Sequence, residues 1–321
     1  MRIIEGENEL LLTCKSAQDG ITILRCETQD DTVRLPAEID GDPVTVLGAY
    51  ALSERAPDLT GQACFPVRVT CGGPAPVHDA GAVRQCILPA GMRSIGSYAF
   101  YNCRRLEGLT LPAALTEIGG GLLMNCRALR TITLCAAPDA STCLPKLLGE
   151  TAAEIDVYFE HSAHLLFPAY SEELEDLSPA HIFQRRIHGA GYYYRQCFAD
   201  GRLRFAEYDR ALSELLERHD FAAAVRVTVR RLAQPYALSD AAREAYLACL
   251  RAHGRAFACE RAAANDSAAL HFLLSLGVLD APAVTAACDA ARAGGQTAAL
   301  SVLLAANRGK QAAGRAKSFD L

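Results

Sequence analysis

Between Leu88 and Leu134 the apolar positions return every 23 residues, pairing Leu88 with Leu111, Ile95 with Ile118, Cys103 with Cys126, Leu106 with Leu129 and Leu109 with Ile132. A period in the twenties that carries a Leu-x-x-Leu-x-Leu segment predicts one short strand and one turn per repeat. Such repeats stack so that each buries its apolar positions against the next. Alternation within "LEGLTL" and "LRTITL" points Leu109, Leu111, Ile132 and Leu134 inward and leaves Gly108, Thr110, Thr131 and Thr133 on the outer face of the sheet.

The flanking patterns differ. "ELLLTC" and "ITILRC" around the turn signal "AQDG" predict an N-terminal hairpin that covers the first repeat, because a stack of repeats ends in exposed apolar surface. After the repeats, "TCLPKLLGE" predicts a short helix with Ser141 or Thr142 near its start and Gly149 near its stop, and "IDVYFE" predicts one more strand. From Phe205 the period becomes helical. Helices are expected around residues 206–218, 221–232, 239–253, 266–276, 282–293 and 297–306. Ser239, Asp266 and Asp280 are cap types, Pro282 sits in a first turn, and Gly254, Gly277, Gly294 and Gly295 are stops.

The repeated string, Ile-Gly-x-x-Ala-Phe-x-x-Cys-x-x-Leu-x-x-Leu-x-Leu-Pro, resembles the bacterial BspA-type leucine-rich repeat family over about residues 20–135. A looser copy starts at "TVRLPAEIDGDPVTVLGAYALSE", with five extra residues between Pro36 and Leu47 and with Arg55 where the other copies have cysteine. The stretch from Glu54 to Gln85, with "CGGPAP" inside it, is expected to be a loop or a degraded repeat. The resemblance implies a binding scaffold. The Ala- and Leu-rich segment from Asp266 to Ala306 resembles the helix pairs of an ankyrin-type array, without its Thr-Pro-Leu-His signature.

Composition narrows the function classes. A net charge of -5 over 321 residues makes phosphate recognition by the whole chain an unfavoured reading. No run of 18 apolar residues and no basic, apolar leader occur, so a cytoplasmic chain without a membrane contact is expected. Thirteen cysteines, odd in number and without a Cys-x-x-Cys pair, read as reduced structural thiols. No Walker loop, dinucleotide fingerprint, nucleophile elbow or His-Glu-x-x-His occurs. His161, His164, His181 and His188 are close in sequence but lack the spacing of a closed zinc site, and a Cys197 and His188 pair lacks any sign of a lowered thiol pKa. No catalytic residue, metal or cofactor is expected.

One segment remains, "HIFQRRIHGAGYYYRQCFADGRLRF", residues 181–205. Arg185, Arg186 and Arg195 with Tyr192, Tyr193 and Tyr194 combine phosphate-binding and stacking groups, as a single-stranded nucleic acid site would. The competing reading is a ribbon or ordered loop bent at Gly189–Gly191, with its tyrosines packed between domains. The resulting expectation is an α+β chain. A short leucine-rich repeat solenoid with a strand cap (residues 1–160) is followed by a β and loop segment (161–205), a domain of stacked helical hairpins (206–307) and a flexible basic tail (308–321). Its expected role is that of a non-catalytic scaffold binding another protein at Gly108, Thr110, Thr131 and Thr133. The alternatives are nucleic acid or nucleotide binding through Arg185, Arg186, Tyr192, Tyr193, Tyr194 and Arg195, or an enzyme with a site at the domain junction.

Overall fold

The computed structural model describes residues 1–160, 162–177 and 182–316. The chain divides into two compact units, Met1–Tyr208 and Asp209–Leu321.

The first unit opens with strands β1 (Arg2–Glu5), β2 (Leu10–Ala17) and β3 (Gly20–Glu27), then β4 (Thr32–Arg34), β5 (Glu38–Ile39), β6 (Asp42–Leu47) and β7 (Phe65–Thr70). β2 and β3 form the antiparallel hairpin expected around Ala17–Gly20. β7 lies inside the segment expected to be a loop, and that expectation is corrected. "FPVRVT" alternates, burying Val67 and Val69, and it pairs antiparallel with β2 and parallel with β1. The five extra residues after Pro36 become β5 and a two-residue turn. Asp40 and Gly41 sit there at φ 54° and 87°, the left-handed pair such a tight hairpin turn requires.

The repeats add β8 (Gln85–Ile87), β9 (Ser94–Ile95), β10 (Gly108–Pro112), β11 (Glu117–Ile118) and β12 (Thr131–Cys135). Helix α1 (Leu144–Gly149), β13 (Ile155–Phe159) and β14 (Ala163–Phe167) follow. Each repeat contributes one strand to each of two sheets. One runs β1-β7-β2-β3-β6-β9-β11, with β5 on β6, and the other runs β14-β13-β12-β10-β8-β4. Partners across β8, β10 and β12 are Gln85, Gly108 and Thr131, and Ile95 faces Ile118 across β9 and β11, so the hydrogen-bond register repeats the sequence period.

Leu88, Met92, Ile95, Phe100, Cys103, Leu106 and Leu109 fill the core between the sheets. The repeated glycine has a steric reason. A Cβ on Gly96 would lie 2.4 Å from Ala49 N, and one on Gly119 would lie 2.3 Å from Ser97 N. Successive backbones therefore close to a distance that admits no side chain. The repeated cysteine donates its thiol one repeat back, from Cys103 to the Leu52 carbonyl (3.4 Å) and from Cys126 to that of Phe100 (3.1 Å).

Glu9 pins the turn after β7. Its carboxylate accepts from the Thr70 hydroxyl at 2.8 Å, the Cys71 amide at 2.9 Å and the Gly73 amide at 2.5 Å. These bonds, the Thr70 hydroxyl foremost, hold the acid at about 2 against an ordinary 4.5. Because the folded value is depressed, the stabilisation is complete above 4.5 and is lost as pH falls through about 2. Thermal midpoints of wild type and Glu9→Gln are therefore expected to differ most near neutrality and to converge on acidification through that window. A gap independent of pH would refute this account.

The first unit continues with β15 (Ser171–Leu177) and β16 (Ile182–His188), an antiparallel hairpin, then α2 (Gly191–Arg195) and the small hairpin of β17 (Phe198–Ala199) and β18 (Arg202–Leu203). Gly191 must be glycine, since a Cβ there would meet the Pro168 carbonyl at 2.0 Å.

Helices α3 (Phe205–Arg210), α4 (Leu212–Glu217), α5 (Phe221–Ala233), α6 (Asp240–Ala263), α7 (Ser267–Ser275), α8 (Ala281–Ala293) and α9 (Thr297–Ala316) complete the chain. Ser239, Asp266 and Asp280 cap α6, α7 and α8 by accepting from the amides of Ala242, Ala269 and Ala283. Three boundaries differ from the sequence expectation. The first helix breaks at Ala211. α6 passes through Gly254, because Tyr246, Leu250, Gly254, Ala258 and Ala262 form one buried seam at four-residue spacing. That packing outweighs the roughly 1 kcal/mol propensity cost of a helical glycine. α9 continues over residues 308–316, where a flexible tail was expected, as alanine, glutamine, lysine and arginine favour helix. Residues 317–321 lie outside the described residues. In the second unit α6 packs on α5, α7 and α8, and α9 packs on α7 and α8. None of the described helices is long and apolar enough to cross a membrane.

Candidate functional site

Strand alternation puts a regular ladder on the outer face of the second sheet. Arg34, Ile87, Thr110, Thr133, Tyr158 and His164 align across β4, β8, β10, β12, β13 and β14. Leu109, Leu111, Ile132 and Leu134 point the other way and are buried, while Thr110, Thr131 and Thr133 are half-buried on the outer side. Gly108 is a correction. It is buried rather than offered to a ligand, because the Gln85 side chain lies where its Cβ would be, 2.1 Å from Oε1. Alternation assigns a face but does not reveal a neighbour's side chain folded across it.

Beside the ladder runs a groove of about 1120 Å³. One wall follows the tripeptide Leu-Pro-Ala, repeated at Leu35–Ala37, Leu88–Ala90 and Leu111–Ala113, of which every residue but Leu111 lines the groove. Leu35 N donates to the Ile87 carbonyl (3.1 Å) and Leu88 N to that of Thr110 (3.0 Å). The following proline has no N–H with which to extend the ladder; β4 and β8 end before Pro36 and Pro89, and β10 ends at Pro112. The leucines face the core and Ala37, Ala90 and Ala113 stay exposed. The groove also meets the end of β1 and the residues after it, at Ile4–Glu7, and ends near Cys135 and Glu160.

The free edge of β4 is covered by Asn8. Its Nδ2 donates to the Thr32 carbonyl (2.6 Å) and its Oδ1 accepts from Arg34 N (2.8 Å), so one amide stands in for a missing strand and blunts the edge. Around the mouth stand Glu5, Glu7, Glu38, Asp40 and Glu160, with Arg34 the basic lining residue. Arg34 pairs with Glu7 at 3.0 Å, and Arg2 pairs with Asp40 at 2.8 Å. Beyond Thr133 the face closes. Tyr158 stacks on His164 with ring centroids 4.0 Å apart, and His164 Nε2 meets Asp156 Oδ1 at 2.6 Å.

The arginine and tyrosine segment is divided by the fold. Arg185 and Arg186 lie on β16, opposite the acidic strand β15, and Arg185 is held by both carboxylate oxygens of Glu172. Its guanidinium lies 5.3 Å from the ring centroid of Tyr192, and Tyr193 is exposed beside them. Tyr194 and Arg195 are instead buried, which corrects their assignment as ligand contacts. Tyr194 packs edge-on against Tyr208 within the first unit. Arg195 donates to the carbonyls of Leu148 (3.3 Å), Ala153 (2.6 Å), Pro168 (2.6 Å) and Gly191 (2.9 Å). Burial lowers its pKa to about 10. Four backbone acceptors replace the phosphate that its composition suggested, and the helical winding of α2 sends consecutive tyrosines in different directions.

Burial pushes the Cys14, Cys86 and Cys126 thiols up to about 12 and Cys143 to about 11, away from nucleophilic chemistry. Cys135, exposed at the groove's end, is also raised, by partial burial and then by Glu160. Cys197 donates to the Tyr193 carbonyl and His188 meets Glu173, so neither contact pairs them as base and nucleophile. Among the described residues no three His, Cys, Asp or Glu side chains gather as metal ligands. His161 and His181, two of the histidines considered for such a site, lie outside the described residues.

Residues 78–142 match the family described as BspA type leucine rich repeat region (6 copies). The solved structure of a T. pallidum leucine rich repeat protein is 22% identical over 38% of this chain and 68% of that one, with a TM-score of 0.21. A leucine rich cell surface protein from Faecalibacterium prausnitzii A2-165 is 17% identical over 50% of this chain and 43% of that one, with a TM-score of 0.27. No curated protein matches the sequence.

Proposed function

We propose that the chain is a non-catalytic interaction module, a short leucine-rich solenoid that binds another protein on the outer face of its second sheet. The helical unit is read as stacked hairpins carried on the same chain. The observation that carries the reading is the groove walled by three in-register Leu-Pro-Ala turns beside the Thr110 and Thr133 ladder. It is regular and partly apolar, and no convergent acid, base or nucleophile is found there among the described residues. The likeness of residues 78–142 to BspA-type repeats supports the same class. A cytoplasmic setting fits thirteen cysteines, none of them in a disulfide.

The test uses peptides selected from a random display library on the immobilised full chain. Thr110→Arg with Thr133→Arg is expected to weaken them at least about tenfold by filling the face, while the half-buried outer positions let the variant keep its thermal midpoint. Arg185→Ala with Arg186→Ala is expected to leave affinity unchanged. The reverse pattern would move the binding surface to the β15 and β16 hairpin and end this reading.

A further inference from the structure

We infer that the groove takes a cationic, extended peptide of about six residues with alternating small apolar side chains. This rests on the outer sheet face being the binding surface and adds to it the chemistry of the partner.

Length follows from the strands. The groove reaches from Arg34 on β4 to Glu160 just past β13, and the sheet order places β8, β10 and β12 between them. Four strand spacings amount to about 19 Å. An extended chain of about six residues spans the same distance.

Apolar alternation follows from the wall. The exposed Ala37, Ala90 and Ala113, backed by the half-buried Pro36 and the buried Pro89 and Pro112, form a shallow surface without side-chain donors or acceptors. A small aliphatic side chain fits it, and a polar one would be desolvated there without compensation. In an extended peptide every second side chain meets this wall and the others project toward the mouth.

Charge follows from the rim. Five carboxylates line the groove against one guanidinium. Glu7 and Asp40 are occupied by Arg34 and Arg2. Glu5, Glu38 and Glu160 have no ion-pair partner among the described residues. Glu38 and Glu160 stand at opposite ends and Glu5 on the β1 side, so the field runs the length of the groove and does not concentrate at one point. A cationic segment therefore meets complementary potential throughout, and an acidic one meets repulsion throughout.

The test measures fluorescence anisotropy of labelled octapeptides on the full chain. The probes alternate valine with lysine, serine or glutamate. The lysine peptide is expected to bind, and the glutamate peptide is not. Binding should weaken as salt rises from about 50 to about 500 mM. The triple substitution Glu5→Gln, Glu38→Gln and Glu160→Gln replaces exposed carboxylates by isosteric amides. It is expected to weaken the lysine peptide at least about tenfold, about two- to fivefold per charge. Thr110→Arg is expected to abolish binding.

Absent binding of the lysine peptide, equal binding of the serine peptide, or indifference to the triple substitution would overturn the inference. The library peptides separate the two levels. Peptides that need Thr110 but carry no excess of lysine or arginine would overturn the charge assignment and leave the surface reading standing. Peptides indifferent to Thr110→Arg would remove both.

Discussion

Asp209→Ala is expected to destabilise the helical unit by about 3–5 kcal/mol, because it removes the carboxylate paired with a buried arginine. The Asp209 carboxylate receives Arg231 in a fork, Nε to Oδ1 at 2.7 Å and Nη2 to Oδ2 at 3.1 Å, and the Tyr246 hydroxyl donates to Oδ1 at 2.9 Å. The two charged side chains are 0% and 5% exposed, so water cannot replace the lost partner. The change is read as the urea midpoint in far-ultraviolet circular dichroism, where helices dominate. Asp209→Leu combined with Arg231→Met is expected to recover most of the loss, since removing both charges removes the desolvation cost with the attraction. A single-variant loss below about 1 kcal/mol would show that the pair is not the buried anchor described here.

Arg195→Met carries the second large expectation, a loss of about 3 kcal/mol or more in the first unit, because buried carbonyls lose a donor together. Its guanidinium joins the end of α1, the chain before β13, the exit of β14 and the start of α2 through four carbonyls. Methionine restores the volume but none of the donors, which isolates the hydrogen-bonding contribution from packing. The chain has no tryptophan, so tyrosine fluorescence is the direct probe, and Tyr170, 4.9 Å from the guanidinium, lies at the site. A variant as stable as wild type would return Arg195 to the list of candidate ligand contacts.

These two arginines show where sequence reasoning stops. Arg231 was invisible in an amphipathic helix, since its partner lies 22 residues away on another element. Arg195 was visible for the wrong reason, because composition cannot distinguish a guanidinium aimed at solvent from one aimed at backbone. The repeat was legible because its signal is a set of columns: Leu109 faces Ile132 across β10 and β12 and Ile95 faces Ile118 across β9 and β11 by one spacing. The same arithmetic located Thr110 and Thr133 on the outer face. It failed at Gly108, where a single side chain from the next strand decides exposure.

The groove was half legible. Leu-Pro-Ala at residues 35, 88 and 111 stands plainly in the sequence, and proline's missing donor explains why each strand ends there. The opposite side was hidden, because it depends on β1 pairing with β7 across more than sixty intervening positions, Arg2 to Val67. The alternation that makes β7 a strand was present in "FPVRVT" but was masked by the Gly- and Pro-rich residues around it.

The central claim, that a partner occupies the groove on the second sheet, is tested most directly by the native thiols. Cys135 is exposed where the groove ends, whereas Cys64 and Cys71 are exposed outside it. Alkylation of each is followed by peptide mass spectrometry in the free chain and with a library-selected peptide bound. The account expects Cys135 to be protected while Cys64 and Cys71 react as before. Unchanged reaction at Cys135, with protection at either of the others, would contradict it.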